Sequence, residues 1–369
     1  MEIFRRYGFD KFLFIATLGL ISLGLIMVFS SSGVLSSDAY GQPFHFFIQQ
    51  IIGAGVGLLF VIGIISVRKP FYQNATFIYG LIILTLFLLA LSLVMPAVVK
   101  TNRWIQFMGL RFQPSELAKI SLILFFASYF DRKKEKLNEL RTLLFPLSTL
   151  LLFILMIIKE PDYGTAILIF LIAMIMLFMA GVKLKHFLLL GVGCMGLFAF
   201  YLLRASYRVD RITAFLSPTL DPQGRGFQVI QSKLAVGSGG LFGVNIGQSS
   251  QKLFFLPCAH TDYIYAILGE ELGLVGSLTV LLLFLIILWR GLVISWRAPN
   301  LFSQMAAAGL TLAIFLQAML NMTIVLGLGP PTGFPLPLVS YGRSSLICTL
   351  FGIGILLHIS QRKGASNRK

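Results

Sequence analysis

The run Leu256-Pro257-Cys258-Ala259-His260-Thr261-Asp262-Tyr263-Ile264-Tyr265 puts an imidazole, a hydroxyl and a carboxylate side by side at His260, Thr261 and Asp262. A carboxylate at a lipid–water boundary, near apolar walls, suits a general base. A nearby cation such as Lys252 or an outer-loop Arg would hold it ionised. The plainer reading is that Asp262 caps the helix predicted to follow it. Glu270 and Glu271 lie two turns further on, roughly 12 Å of helix rise beyond Asp262. An acidic pair at membrane depth is costly unless it pairs with a base or snorkels.

Two other segments put charge at helix starts. Gln113-Pro114-Ser115-Glu116-Leu117-Ala118-Lys119 opens an apolar run, and proline is permitted in a first turn. Glu116 and Lys119 are three apart and share a helix face, so they can form a local pair. Charge at this depth also fits the lining of a water-filled cavity. In Pro161-Asp162-Tyr163-Gly164-Thr165-Ala166, capping alone explains Asp162.

Gly224-Arg225-Gly226-Phe227-Gln228-Val229-Ile230-Gln231-Ser232 begins with a helix-like apolar rhythm, and Gly237-Ser238-Gly239-Gly240-Leu241-Phe242-Gly243 follows. Such glycines can bring N–H groups close to an oxyanion, or simply make a flexible loop. Neither a phosphate-loop lysine nor a dinucleotide fingerprint is present. Four prolines between Gly329 and Pro337 preclude regular helix. That stretch reads as a re-entrant or capping loop, tolerable at membrane depth where protein or water satisfies its backbone.

The elements that carry these residues are membrane helices. Of 369 residues, 57% are hydrophobic and 12% charged, against roughly a quarter charged in soluble domains. Continuous apolar runs exclude a barrel and predict an all-α bundle of about ten spans. They fall near 12–32, 46–67, 74–96, 114–130, 143–158, 162–180, 186–204, 262–289, 301–326 and 344–361, in a single transmembrane unit over 1–369. The interval 205–261 is expected to be a mostly extended outer loop. The basic N-terminal start reads as a retained first helix rather than a cleaved signal.

The net charge of +16 is distributed along the membrane faces. It points to anionic headgroups and away from nucleic acid. Of the 30 basic residues, 18 fall in short segments on the side of the N-terminus, which makes that side cytoplasmic together with the C-terminus. The remainder include Lys100, Arg103, Arg111, Arg204, Arg208, Arg211, Arg225, Lys233, Lys252 and Arg343. They are either tolerated in long loops or line a site for a phosphorylated lipid. Cys194, Cys258 and Cys348 are isolated and show no metal spacing.

Taken in order, these blocks resemble the SEDS family (shape, elongation, division and sporulation). The resemblance rests on Asn102-Arg103-Trp104-Ile105, the Gln113–Lys119 and Pro161–Ala166 blocks and Gln231-Ser232 with its glycine run. It continues through His260-Thr261-Asp262, Gly269-Glu270-Glu271-Leu272-Gly273 and Pro335-Leu336-Pro337 through Ser344 and Ser345. Gly247 to Pro257 is closer to the division-type FtsW branch, with a sporulation paralogue similar.

The resemblance implies polymerisation of lipid II on the outer face of the bacterial inner membrane, at the septum. Asp262 would be the general base, and Glu116 and Lys119 would line a central cavity; charge and location make Arg103, Arg208, Arg211 and Lys252 the candidates for pyrophosphate contact. No cofactor is implied beyond a divalent cation at the diphosphate. The implied partners are the undecaprenyl-linked strand, membrane lipids, a class B penicillin-binding transpeptidase and divisome membrane proteins.

Two positions depart from the family pattern: Cys258 stands where a glutamate is usual, and Arg343 where a glycine is usual. A flippase for lipid-linked precursors and a non-catalytic scaffold are the competing readings. The absence of a convincing inverted repeat weighs against the first, and the retained His260-Thr261-Asp262 against the second.

Overall fold

The computed structural model describes residues 8–95, 103–107, 110–187, 213, 215–224, 226–253 and 255–361, with Gly191 and Gly196. Helix α1 (Lys11–Tyr40) begins where Asp10 Oδ1 accepts the Leu13 N–H at 3.0 Å. It is followed by α2 (His45–Ser66), α3 (Ala75–Val94), a hairpin of β1 (Ile105–Phe107) and β2 (Leu110–Phe112), and α4 (Pro114–Lys133). Next come α5 (Leu140–Lys159), α6 (Tyr163–Met179), α7 (Phe227–Ser238), α8 (Ile264–Trp296), α9 (Leu301–Val325) and α10 (Arg343–Gln361).

Among the described residues, seven helices (α1, α2, α3, α5, α8, α9 and α10) are long and apolar enough to cross a membrane. The apolar α6 is shorter, at 17 residues. The protein is therefore an all-α multi-pass membrane protein. Ile83 and Phe87 of α3, at 67% and 62% exposure, turn outward as lipid-facing apolar surface does.

The most polar long helix, α4, is the most enclosed. Its residues from Pro114 to Phe130 are nearly all buried, Glu116 and Lys119 included. It packs on α3, α6 and α9, and α9 also contacts α8 and α10. Lipid cannot satisfy a charge, so the charged helix takes the centre and apolar helices form the rim. At one face Asp10 receives Arg290 of α8 as a salt bridge, and its N–H donates to Ser360 Oγ of α10 at 3.0 Å. The start of α1 and the ends of α8 and α10 therefore share that face.

The loop expected over 205–261 contains one twelve-residue helix, α7, and two expectations need correction. The eighth span runs on to Trp296 and breaks at Gly273, whose φ of 65° and ψ of −159° suit only glycine. The first helix continues past 32 to Tyr40. The seventh span, 186–204, lies largely outside the described residues.

The break in α8 explains the glycine run. Leu274 and Val275 donate their N–H groups to the carbonyls of Gly240 and Leu241, at 3.0 and 3.2 Å. Val244 N–H returns a bond to Glu270 O at 3.0 Å. The loop supplies the backbone partners that the broken helix lacks. A side chain at Gly239 or Gly243 would collide with the Gly269 or Glu271 carbonyl. These glycines pack against helix, so the oxyanion reading gives way to a structural one.

Two predictions follow from this packing. A methyl at Gly24 of α1 would lie 2.6 Å from Leu338 O and 2.7 Å from Val339 Cα, both backbone. At Gly33 it would meet nothing within 4 Å. Gly24→Ala should therefore cost about 1–3 kcal/mol and lower the melting temperature in detergent, while Gly33→Ala should not.

The second concerns Glu160, between α5 and α6, which is fully buried and accepts from Ser92 Oγ. Burial raises its carboxyl pKa to about 8, with Asp162 adding to the shift and Ser92 and Arg103 opposing it. A raised carboxyl pKa favours folding below the unfolded value, and that advantage is lost as pH rises through about 8. Glu160→Gln should flatten the fall in melting temperature between pH 5 and 8, and an unchanged slope would exclude Glu160 as its source.

Candidate active site

The segment carrying His260, Thr261 and Asp262 leads into α8 on the face opposite Asp10. Tyr263 is the N-cap of α8, and its side chain makes no capping bond. Three consecutive carbonyls of the segment are held by donors from the C-terminal part of the chain. His260 O accepts from Tyr341 N–H at 3.0 Å, and Thr261 O from Ser340 Oγ at 2.6 Å. Asp262 O accepts from Asn321 Nδ2 at 2.7 Å.

The proline-rich loop between α9 and α10 lies directly over this segment. A Cβ at Gly333 would be 3.4 Å from Asp262 Oδ2, so the carboxylate sits against loop backbone where no side chain intervenes. Gln50 of α2, 1% exposed, clamps the loop's far end. It donates to Ser340 O at 3.0 Å and accepts from Gly342 N–H at 3.2 Å.

His260 stacks on Phe46 (centroids 5.0 Å) and lies 5.7 Å from Tyr341. Burial lowers its pKa to about 4, so the ring is neutral at physiological pH. Burial also raises the Tyr341 hydroxyl pKa, with the charges of Arg343 and Arg111 acting against it. Those two guanidinium groups thus bear on the site. Thr261 Oγ1 donates to Cys258 O at 3.2 Å, and Cys258 itself is exposed with φ of 58°.

Toward the bundle interior, Glu116 Oε2 and Lys119 Nζ pair at 2.9 Å. Both line a small cavity of about 30 Å³ with Gln317, Ile123, Leu310 and Cys348. Asp162 ties the α4 and α6 starts together, accepting from Gln113 Nε2 and Ser115 Oγ at 3.0 Å each and from Thr165 Oγ1 at 2.9 Å.

Several candidate residues prove to be structural anchors. Lys252 Nζ is bound to Glu271 at 3.0 Å and to Ser30 at 3.2 Å, rather than serving as the cation of Asp262. Glu270 holds Ser249 Oγ and both the N–H and Oγ of Ser250. The acidic pair therefore faces loop and α1, enclosed by protein. Arg103 uses Nε and Nη2 on the carbonyls of Glu160 and Pro161.

Ser232 of α7 donates to Val325 O at 2.5 Å, with Gln231 half-buried beside it. Ser344 reaches Arg111 O at 3.5 Å. Arg208 and Arg211 lie outside the described residues. Among the described residues, no group of three or more His, Cys, Asp or Glu side chains is placed to hold a metal ion.

Gln50, Gln317, Asn321 and Ser340 were not foreseen. The signal available for the α9 pair was a glutamine and an asparagine four residues apart in an otherwise apolar run.

The family described as "Cell cycle protein", grouping FtsW, RodA and SpoVE, matches residues 11–365. Stage V sporulation protein E of Bacillus subtilis (strain 168) is 40% identical over 356 residues, covering 95% of this chain and 97% of that protein. A protein named probable peptidoglycan glycosyltransferase FtsW, from Trichlorobacter lovleyi, is 38% identical over 97% of this chain and 94% of its own length.

Among solved structures, a chain described under the structural coordination of polymerization and crosslinking by a peptidoglycan synthase complex superposes with a TM-score of 0.78. It is 28% identical and covers 96% of this chain and 98% of that one. The Thermus thermophilus rod shape determining protein RodA superposes at 0.70, with 25% identity over 96% of this chain and 97% of that one. The bundle, the ordered motifs and these matches together make the chain a member of the FtsW/RodA/SpoVE family.

Proposed function

We propose that this protein is a peptidoglycan glycosyltransferase of the division type, polymerising lipid II into glycan strands, with Asp262 as general base. The observation that carries the assignment is the fixing of Asp262. Its carboxylate lies against the bare backbone at Gly333 while its own carbonyl is tied to Asn321. A carboxylate whose backbone is held in place is suited to proton abstraction. The relatives named as probable peptidoglycan glycosyltransferases support the reaction class.

In this reaction Asp262 accepts the proton of the 4-hydroxyl of the acceptor N-acetylglucosamine. The oxygen attacks the anomeric carbon of the donor N-acetylmuramic acid, the bond to phosphate breaks, and undecaprenyl pyrophosphate leaves with the electron pair. The linkage inverts from α to β. Cations at the leaving group stabilise its developing charge. Lys252 and Arg103 are engaged elsewhere, with Glu271 and Ser30 and with the Glu160 and Pro161 carbonyls. A divalent cation bound through the diphosphate oxygens would supply further charge, its ligands coming from the substrate. Neutral His260, stacked on Phe46, forms an apolar wall beside the base.

The positive-inside distribution supports cytoplasmic termini and an Asp262 on the outer face of the inner membrane, where lipid II is presented. The likeness to a chain of a peptidoglycan synthase complex supports a class B penicillin-binding transpeptidase as partner. The resemblance to the division branch supports a place at the septum.

The test is glycan-strand synthesis from purified lipid II with the partner transpeptidase supplied. Asp262→Asn should lose about 10²–10⁴-fold in rate while keeping the wild-type melting profile. Undiminished synthesis by the variant would remove Asp262 as the base. A wild-type protein that makes no strands would remove the polymerase reading itself.

A further inference from the structure

Asp262 is held through its backbone, and the hold comes from one stripe of α9. Gln317 and Asn321 share a helix face and are 3% and 1% exposed. Asn321 Nδ2 donates to Asp262 O at 2.7 Å and to Phe334 O at 2.5 Å, which uses both amide hydrogens. That one group therefore joins the base-bearing segment to the proline-rich loop.

One turn earlier, Gln317 Nε2 donates to Pro335 O at 3.0 Å, and its Oε1 accepts from Lys119 Nζ at 2.5 Å. Lys119 is in turn paired with Glu116. An ammonium group can only donate, so Lys119 orients the glutamine amide. Its oxygen must face α4 and its nitrogen must face the loop. Without that ammonium, the amide could turn over and present its oxygen to the Pro335 carbonyl.

We infer that Gln317 and Asn321 are positioning residues for glycosyl transfer, and that the Glu116–Lys119 pair acts on the reaction through Gln317. This rests on the glycosyltransferase reading and says what sets its base. The line runs from Glu116 through Lys119 and Gln317 to Pro335, next to Phe334, whose carbonyl accepts from the same Asn321 amide that donates to Asp262 O. A buried ion pair is weak evidence for stability in itself. Here it has a geometric use, because a reacting group displaced by about 1 Å can lose 10²-fold in rate.

The experiment is lipid II titration with the full-length protein and its partner transpeptidase, reading kcat and KM separately. Gln317→Met, Asn321→Leu and Lys119→Met should each lower kcat by about 10–100-fold and leave KM for lipid II unchanged. Lys119→Arg, which still donates to both partners, should restore most of the rate. Gln317→Glu keeps the lysine but cannot donate to Pro335, so it should fall with Gln317→Met.

Unaltered kcat in Gln317→Met, an effect confined to KM, or failure of Lys119→Arg to rescue would overturn the inference. Amide hydrogen exchange over residues 332–341 gives a readout independent of turnover. It should be faster in Gln317→Met and Lys119→Met than in wild type, and unchanged protection would overturn the clamp even if activity fell. If the wild type makes no strands, the glycosyltransferase reading fails while exchange still decides whether the clamp exists.

Discussion

Everything at the outer end of the molecule depends on three successive carbonyls having partners. His260, Thr261 and Asp262 precede a helix and cannot all be satisfied by it. They are instead bonded by Tyr341, Ser340 and Asn321. An unpaired carbonyl in an enclosed setting costs on the order of 1–3 kcal/mol. The segment therefore stays down only while the proline-rich loop is in place. That loop in turn requires Gln50, Gln317 and the close approach of Gly24. Residues more than two hundred positions apart thus share responsibility for one carboxylate.

A bundle in lipid gains little from burying apolar surface between helices, since the solvent is apolar too. What distinguishes the inside from the rim here is polarity. Glu116, Lys119, Gln317, Asn321, Gln50 and Asp162 are buried and matched to one another or to backbone. Apart from the Glu116–Lys119 pair, which lies within α4, each match ties two helices, or a helix and a loop, together. The same side chains that would be expensive facing lipid thereby specify the arrangement of α2, α4, α6 and α9 around the site.

The helices were legible because continuous apolar runs of membrane length have few alternatives, and most ends fell within a few residues of those observed. Asp162 was legible as a cap because its motif is local. The misreadings concern partners distant in sequence. Nothing near Lys252 announces that Glu271 and Ser30 will take its ammonium, and Glu270 and Glu271 resemble a functional acidic pair until Ser249 and Ser250 come into view. The glycine run looked like an anion cradle because its real partner, a helix broken at Gly273, reads in sequence as unbroken. Gln317 and Asn321 were readable as polar residues in an apolar helix, and only the folded loop reveals what they hold.

The break at Gly273 has a mechanical consequence. Hydrogen bonding along α8 is interrupted there; the nine residues before it are surrounded by protein and joined to the loop through Val244, while Gly240 and Leu241 take the first two N–H groups after it. The length after it, from Leu274 to Trp296, exposes Leu274, Val275, Leu278 and Leu282. A continuous rod would carry any change of tilt straight to its tip. With the joint, a lean of the lower shaft in a thicker or thinner bilayer need not tilt the tip, which leads from the candidate site and keeps its bearings on the surrounding protein.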